Sequence, residues 1–283
     1  MAGLGGFSLE ATRPSADELA ALAGLIAPGT PVYLSRVPTE TSAEQAAAAA
    51  RTRAAGFEPV PHIAARRLAS TAELADFLAR IRGEADVRRL LVIAGDSDVA
   101  GPFPDALAVI ERGGLAEAGI IGIGIAGHPE GHPKITDTML ATAMTSKLVV
   151  ARDAGLRVEI VSQFSFNPER IVAWLRQLRA QGIDVPVRVG MAGPTRLPSL
   201  LRYAMRCGVK ASMQGLVSGA ATALVGHVGP DRILDALDAA LSTAPGALGE
   251  IAPHFFSFGG LADTARYAAS VARQPREGAI NVI

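Results

Sequence analysis

Residues 119–133 read GIIGIGIAGHPEGHP, an apolar run of strand length that ends in a turn of histidine, proline and glutamate. Short apolar runs bounded by glycine and proline are typical of buried strands in a parallel sheet. Seven further runs of this kind occur along the chain, and longer amphipathic stretches separate them. The eight candidate strands span residues 6–10, 31–35, 58–62, 90–94, 119–125, 158–163, 185–191 and 254–258.

The stretches between these runs carry helix signals. Three of them open on a Ser or Thr followed three residues later by Glu, the pattern of a capping box, and they begin at Ser15, Thr41 and Ser70. Eight alternating strand–helix units predict one α/β domain over residues 1–283, a (β/α)8 TIM barrel. A doubly wound open sheet is the structural alternative. The connection before the last strand is long enough for an extra helix near residues 211–225.

Composition excludes several classes of protein. Lys plus Arg and Asp plus Glu number 27 each, and a chain without a basic excess is not expected to bind nucleic acid or a membrane surface. No apolar run is long enough to span a bilayer, and residues 1–10 lack the features of a signal peptide. The single cysteine, Cys207, is interpreted as a small buried hydrophobe. We therefore expect a cytoplasmic protein, whose amphipathic helices neither require nor exclude a second subunit.

Polar residues recur where the candidate strands end. Barrel enzymes carry their chemistry at the C-terminal ends of the strands, where the loops meet. Nearly every candidate strand here ends in an ionisable group, an amide or a glycine, and this convergence predicts an active site at that rim. The rim residues are Glu10, His62, Gly95, Asp96, His128, Glu130, His132 and Gln163.

Glu10 and Asp96 are the candidate catalytic carboxylates. Each follows a buried candidate strand, where desolvation raises the pKa of a carboxyl group and lets it act as a general acid. The alternative is that either carboxylate caps the helix that follows it. His254 is placed at the beginning of the last candidate strand, at the opposite end from these acids, so a structural role is expected for it.

His128, Glu130 and His132 form a second candidate site. A His-x-x-x-His spacing suits zinc only on a helix, and Pro129 and Pro133 break any helix here. We therefore predict no metal site and expect this turn to fold over a ligand.

Two glycine patterns suggest phosphate binding. Gly122-x-Gly124-x-x-Gly127 matches a dinucleotide-binding fingerprint, but a proline-rich turn follows where that motif needs a helix. We interpret these glycines as small residues packed in the barrel. The turns at residues 193–195 and 259–260 follow strands seven and eight, where many barrels bind phosphate, and this possibility stays open.

A series of short motifs, in order along nearly the whole chain, resembles the methylenetetrahydrofolate reductase family, a flavin-dependent barrel. The most specific is His128-Pro-Glu-Gly-His132-Pro133, which resembles the family's Tyr-Pro-Glu-x-His-Pro. Further matches resemble its opening Phe-Glu-Phe-Phe-Pro-Pro strand, its Pro-His-Leu, its Arg-Gly-Asp, its Asp-Ala-Gly and Thr-Gln-Phe-Phe, and its Gly-Ile, Pro-Ile and Gly-Ile-x-Pro. They lie at residues 7–14, 61–63, 95–96, 153–155 and 162–164, and at 182–183, 186–187 and 193–194.

The resemblance implies a reaction and roles for these residues. The reaction is hydride transfer from NAD(P)H, through bound FAD, to 5,10-methylenetetrahydrofolate, giving 5-methyltetrahydrofolate for one-carbon metabolism and methionine biosynthesis. Glu10 would protonate N10 of the folate, and Asp96 would stabilise the resulting 5-iminium cation. Gln163 and Phe164 would contact the folate. The residues implied to hold the flavin are His62, Gly95, His128, Glu130, His132 and Lys147.

The chain departs from the family at positions that would bind flavin and folate. Ala94 stands where the family has the Arg of Arg-Gly-Asp, His128 replaces its Tyr, and residues 258–260 replace its Leu-Asn-Arg. Three hypotheses stay open: a reductase, with flavin or with direct hydride transfer from the nicotinamide; a folate- or flavin-binding barrel without reductase activity; and a folate-dependent methyltransferase. The direction of the reaction and the choice between NADH and NADPH also stay open.

Overall fold

The computed structural model describes residues 6–99, 101–206, 227–228 and 230–273. Its main sheet contains the parallel strands β1 (Ser8–Ala11), β2 (Pro31–Leu34), β3 (Glu58–Ala64), β4 (Arg89–Ile93), β5 (Gly122–Gly127), β6 (Arg157–Ser162), β7 (Val187–Ala192) and β10 (Ile251–Phe256). A short antiparallel pair, β8 (Thr195–Arg196) and β9 (His227–Val228), lies apart from it. The main sheet closes in the order β1-β10-β7-β6-β5-β4-β3-β2. The predicted TIM barrel is therefore confirmed over the open sheet.

Helices follow the barrel strands. They are α1 (Ala16–Ala20), α2 (Ser42–Ala54), α3 (Thr71–Ala85), α4 (Ala106–Arg112), α5 (Asp137–Asp153), α6 (Pro168–Ala180), α7 (Leu197–Arg206), α8 (Asp231–Thr243) and α9 (Leu261–Arg273), with a 3-10 turn at Ala65–Arg67. Within the described part of the chain, no helix has the length and apolarity needed to cross a membrane. The expected extra helix near residues 211–225, like Cys207, lies outside the described residues.

Two of the three predicted capping boxes form completely, at Ser15 and Thr41. At the third, the Ser70 side chain accepts a hydrogen bond from the Glu73 N–H, but the Glu73 carboxylate does not return to the Ser70 backbone. It accepts instead from Ala69 N at 2.7 Å and from Arg36 Nη2 at 3.1 Å. This carboxylate thereby ties the beginning of α3 to the loop that follows β2.

Side chains of the barrel strands alternate between two cores, as the twofold repeat of a strand requires. Leu9 belongs to the large core shared with the helices. A separate apolar cluster, Tyr33, Val60, Leu91 and Val161, lies inside the barrel. Because side chains alternate along a strand, Ser8 and Glu10 point into the barrel, whereas Leu9 points toward the helices.

The last barrel strand begins earlier than expected, at Ile251 instead of residue 254. Pro253 lacks an N–H and interrupts the apolar run, yet it pairs with Val189 of β7 inside the sheet. His254 is therefore the fourth residue of this strand, and the prediction that it lies at the strand's beginning is wrong.

Candidate active site

Glu10 lies at the centre of the C-terminal rim, where its side chain points into the barrel. Its Oε2 atom is 3.3 Å from His254 Nε2 and 3.5 Å from His62 Nε2. The side chain is 14% exposed, and burial raises the pKa of Glu10, which the charge of His62 opposes. This confirms the predicted direction of the pKa shift.

His254 belongs to this site, which corrects the structural role expected for it. Its strand is paired with β1 so that Ser8 is opposite His254, and Ser8 Oγ lies 2.9 Å from His254 Nδ1. Burial, followed by the charge of Arg188, lowers the pKa of His254 to about 3. Burial likewise lowers the pKa of His62. Burial therefore favours the protonated form of Glu10 and the uncharged forms of both imidazoles.

A buried polar network supports the His254 ring from inside the barrel. The Tyr33 ring meets His254 edge to face, with centroids 4.7 Å apart. The Tyr33 hydroxyl donates a hydrogen bond to Glu159, which also accepts from Arg188 Nε at 2.7 Å. This network supports the imidazole beside Glu10, because the hydrogen bond to Glu159 fixes the Tyr33 ring against which His254 packs.

The turn after β5 brings together three of the predicted cofactor residues. His128 and His132 pack edge to face with ring centroids 5.5 Å apart. Burial, and then the charges of His132 and Lys147, lower the pKa of His128 to about 4. Glu130 Oε1 accepts a hydrogen bond from Ser165, while its Oε2 is buried without a hydrogen-bond partner.

Lys147 of α5 lies near this turn. Burial lowers the pKa of its ammonium, which the charge of Asp105 opposes, and within the described residues no carboxylate lies within ion-pair distance of it. An ammonium without an ion pair and a carboxylate oxygen without a hydrogen bond are groups that a polar ligand would satisfy. Among all the residues that the structure describes, no three His, Cys, Asp or Glu side chains form a set able to hold a metal ion.

Gln163 and Phe164 follow β6 but face different surroundings. Gln163 N donates to Gly127 O at 2.8 Å, and its side-chain Oε1 accepts from Phe164 N at 3.1 Å. This leaves the amide NH2 group at the rim. The Phe164 ring is only 1% exposed and packs with Phe166, Phe256 and Phe258.

Comparison with known protein families assigns this chain to one of them. The family model described as methylenetetrahydrofolate reductase matches residues 33–214. The chain belongs to the methylenetetrahydrofolate reductase family. Glu10 and His254 lie outside the matched residues, and the closure of the barrel between β1 and β10 brings both to the rim.

Two curated relatives of this methylenetetrahydrofolate reductase family member share modest identity. The 5,10-methylenetetrahydrofolate reductase of Pectobacterium carotovorum subsp. carotovorum is 27% identical over 155 residues, which are 55% of this chain and 50% of that protein. Methylenetetrahydrofolate reductase 1 of Schizosaccharomyces pombe is 33% identical over 88 residues, 31% of this chain and 14% of that protein. The matched parts thus span half or less of either relative.

Two solved structures share the fold. An uncharacterized protein from Clostridium thermocellum that binds two copies of 5-methyl-5,6,7,8-tetrahydrofolic acid has a TM-score of 0.67 at 10% identity, covering 95% of each chain. Dihydropteroate synthase from Thermus thermophilus has a TM-score of 0.50 at 16% identity, covering 95% of this chain and 93% of that one. At these identities the likeness shows the barrel fold alone.

Asp96 of this family member is not desolvated, contrary to the expectation. Its side chain is 71% exposed and forms an ion pair with Arg67, whose Nε lies 3.1 Å from Oδ1. The reason is local: β4 ends at Ile93, and Gly95, with a φ of +85°, turns the chain outward. Arg67 reaches Asp96 from the adjacent loop, beside Ala94, where the family has arginine.

The glycine patterns are explained by close packing. A Cβ on Gly124 would lie 3.0 Å from Leu91 Cδ1, and one on Gly127 would lie 2.8 Å from the Trp174 ring. This agrees with glycines that make room for packing in and around the barrel. The turns after β7 and β10 contact each other, since a Cβ on Gly259 would lie 2.2 Å from Pro194 O.

Proposed function

We propose that this protein transfers a hydride between NAD(P)H and 5,10-methylenetetrahydrofolate, with Glu10 as the general acid. The observation that carries the proposal is the buried Glu10 with its raised pKa, set between His62 and His254 at the rim. Family membership supplies the substrate class. As an enzyme of one-carbon metabolism that supplies methionine biosynthesis, it would work in the cytoplasm.

Glu10 supplies the proton that opens the imidazolidine ring. The bond between the methylene carbon and N10 breaks, N10 takes the Glu10 proton, and a 5-iminium cation remains. A hydride from NAD(P)H then reduces that carbon to a methyl group and leaves NAD(P)+. An acid for this step must hold its proton more tightly than a free carboxyl group does, and burial raises the pKa of Glu10 in that direction. In the tautomer with its proton on Nε2, His254 would donate a hydrogen bond to the carboxylate that Glu10 becomes after it gives up its proton.

Asp96 and Gln163 are the residues we assign to the folate. The exposed carboxylate of Asp96 is paired with Arg67, and on folate binding it would turn from this arginine to stabilise the iminium cation. The Gln163 amide NH2 would donate to the pterin, because its oxygen is already bonded to Phe164 N. The buried Phe164 ring would support this amide from below.

The turn after β5 fits a dinucleotide cofactor, which we propose to be FAD. The buried Glu130 Oε2 lacks a donor, and Lys147 lacks an ion-pair partner among the described residues, so a ligand hydroxyl or N–H and a phosphate would satisfy both. The other residues assigned to this cofactor are His62, Gly95, His128 and His132. When bound, FAD would carry the hydride between nicotinamide and folate. The same two groups also fit the nicotinamide dinucleotide itself, in a reductase without flavin.

A folate-binding barrel without reductase activity is the second candidate. The Clostridium thermocellum protein, with the same fold, binds 5-methyl-5,6,7,8-tetrahydrofolic acid, and Ala94 replaces the arginine of the family motif. Methyl transfer rests on fold analogy alone.

The visible absorption spectrum of the purified protein, before and after anaerobic NADH or NADPH, tests the proposal. We expect a flavin band that bleaches with the nicotinamide and returns with methylenetetrahydrofolate. A colourless protein that still oxidises the nicotinamide only in the presence of folate would keep the reductase and remove FAD. A protein inert even with added FAD would refute the reductase, and methyl transfer without nicotinamide would replace it.

A further inference from the structure

A cavity of about 340 Å³ is lined by residues of the loops that follow β2, β3 and β4. His62, which faces Glu10, lies in β3 just before the 3-10 turn that contributes to this cavity. β3 thus connects the residue that faces Glu10 to the turn that lines the cavity. The lining includes Arg36, Glu40, Arg66, Arg67, Ser97 and Gly101.

The side chains that line the cavity include more arginines than carboxylates. Arg36 is bonded to Glu73 and Arg67 is paired with Asp96. Arg66 differs from both: its Nε donates to Ser97 O at 2.6 Å and its Nη2 to Asp98 O at 2.9 Å. No carboxylate of the described residues lies within ion-pair distance of Arg66. Carbonyl dipoles orient this guanidinium without neutralising it.

Glu40 contributes the carboxyl group of the lining. Glu40 is 6% exposed, and burial raises its pKa. Its ion-pair partner Arg13 is 3.8 Å away and lies outside the cavity lining. A group held in its neutral form more readily than usual opposes an incoming anion less than a free carboxylate does.

The cavity wall is held in place by close backbone contacts. Arg66 N donates to Ala94 O at 2.9 Å, which joins the turn after β3 to the end of β4. A Cβ at Gly101 would lie 2.1 Å from Leu68 O, so only glycine allows the two loops to approach this closely. The arginine side chains are therefore presented from a fixed wall, which lowers the entropic cost of binding.

We propose that this cavity binds an anionic oxygen group of a ligand that reaches Glu10. The group is either a phosphate of the nicotinamide dinucleotide or a carboxylate of the glutamyl tail of the folate. This inference rests on the proposed function for its choice of ligands. Guanidinium forks match the paired oxygens of both groups, and Arg66 and Arg67 are neighbours on one turn.

Isothermal titration calorimetry at low ionic strength tests the inference without turnover. Sodium pyrophosphate and γ-glutamylglutamate are titrated separately into the full-length protein. We expect one probe to bind, and Arg66→Gln and Arg67→Gln each to weaken it by about tenfold or more, the loss expected for one charge-assisted hydrogen bond. The probe that responds identifies the source of the anion. Arg80→Gln removes an equal charge from the exposed face of α3 and is the matched control, with no change expected.

Absence of binding of both probes to the wild type would overturn the inference. So would equal affinities of the wild type, Arg66→Gln and Arg67→Gln, with melting temperatures confirming that each variant is folded. Because the measurement needs no hydride transfer, it separates this inference from the reductase proposal. If the protein lacks reductase activity but binds a probe that the Arg66→Gln variant no longer binds, the anion site is still present.

Discussion

At the scale of single residues, burial raises the pKa of Glu10, because a charged carboxylate would lose its hydration inside the barrel mouth. Two imidazoles surround it, and burial lowers the pKa of both. Burial therefore favours the uncharged forms of the acid and of both bases, an arrangement suited to giving up one proton. Glu10 and His62 can be identified from the sequence because both lie at the ends of apolar runs.

Replacement of Glu10 by Gln should remove the acidic proton while keeping the size and shape of the side chain. We expect kcat for methylenetetrahydrofolate reduction to fall by about 10²-fold or more, the usual contribution of general acid catalysis. Folate binding, followed by calorimetry, should persist. Near-normal turnover in this variant would show that another group protonates N10.

Replacement of His62 by Gln should move the pH profile. The charge of His62 lowers the pKa of Glu10, so its removal should raise that pKa further. Activity that needs protonated Glu10 should then persist to higher pH, and the alkaline limb of kcat/KM should shift upward. His132→Gln removes an imidazole from the same rim and should leave the position of that limb unchanged. A limb that stays fixed or moves down in His62→Gln would contradict the assignment of Glu10.

At the scale of elements, the sequence predicts all eight barrel strands because each apolar run alternates with an amphipathic helix. It misplaces the last one, because Pro253 interrupts the run before His254. Counting the twofold repeat backward from Phe256 gives His254 and Ala252 the same phase. That parity is the signal that could have placed the histidine inside the barrel.

Glycine at 127 should be required by the packing of β5 against α6. A Cβ there would lie 2.7 Å from Ile160 Cγ2 and 2.8 Å from the Trp174 ring. We expect Gly127→Ala to reduce the free energy of unfolding by about 1–3 kcal/mol, the usual cost of overpacking. Gly83→Ala, on α3 with nothing within 4 Å of the added Cβ, should be neutral or stabilise by up to about 1 kcal/mol. Equal effects of the two substitutions in urea denaturation would contradict this explanation.

At the scale of the whole molecule, the site depends on contacts that no local pattern contains. Ser8 and His254 are 246 residues apart in sequence, and Tyr33 and Glu159 are 126 apart. The closure of the barrel brings the members of each pair together. A prediction of the barrel fold therefore places these residues in one sheet, but it does not tell which of them are in contact. Asp96 illustrates the same point, because a single left-handed Gly95 turns it outward to Arg67.

The buried histidines should make the stability of the whole barrel depend on pH. The pKa of His254 is lowered to about 3 and that of His128 to about 4, so between these values and about 6.5 the unfolded chain binds protons on these residues that the folded chain does not. The contribution of these two histidines should therefore be complete above about pH 6.5 and be lost with acidification, at about 1.4 kcal/mol per pH unit for each histidine. Glu10, whose pKa burial raises, contributes with the opposite sign. Urea denaturation between about pH 4 and about pH 8 measures this slope. His254→Gln should make it shallower by the contribution of one proton, because glutamine binds none in either state. A His254→Gln variant with the same slope as the wild type would mean that this imidazole is hydrated and not buried.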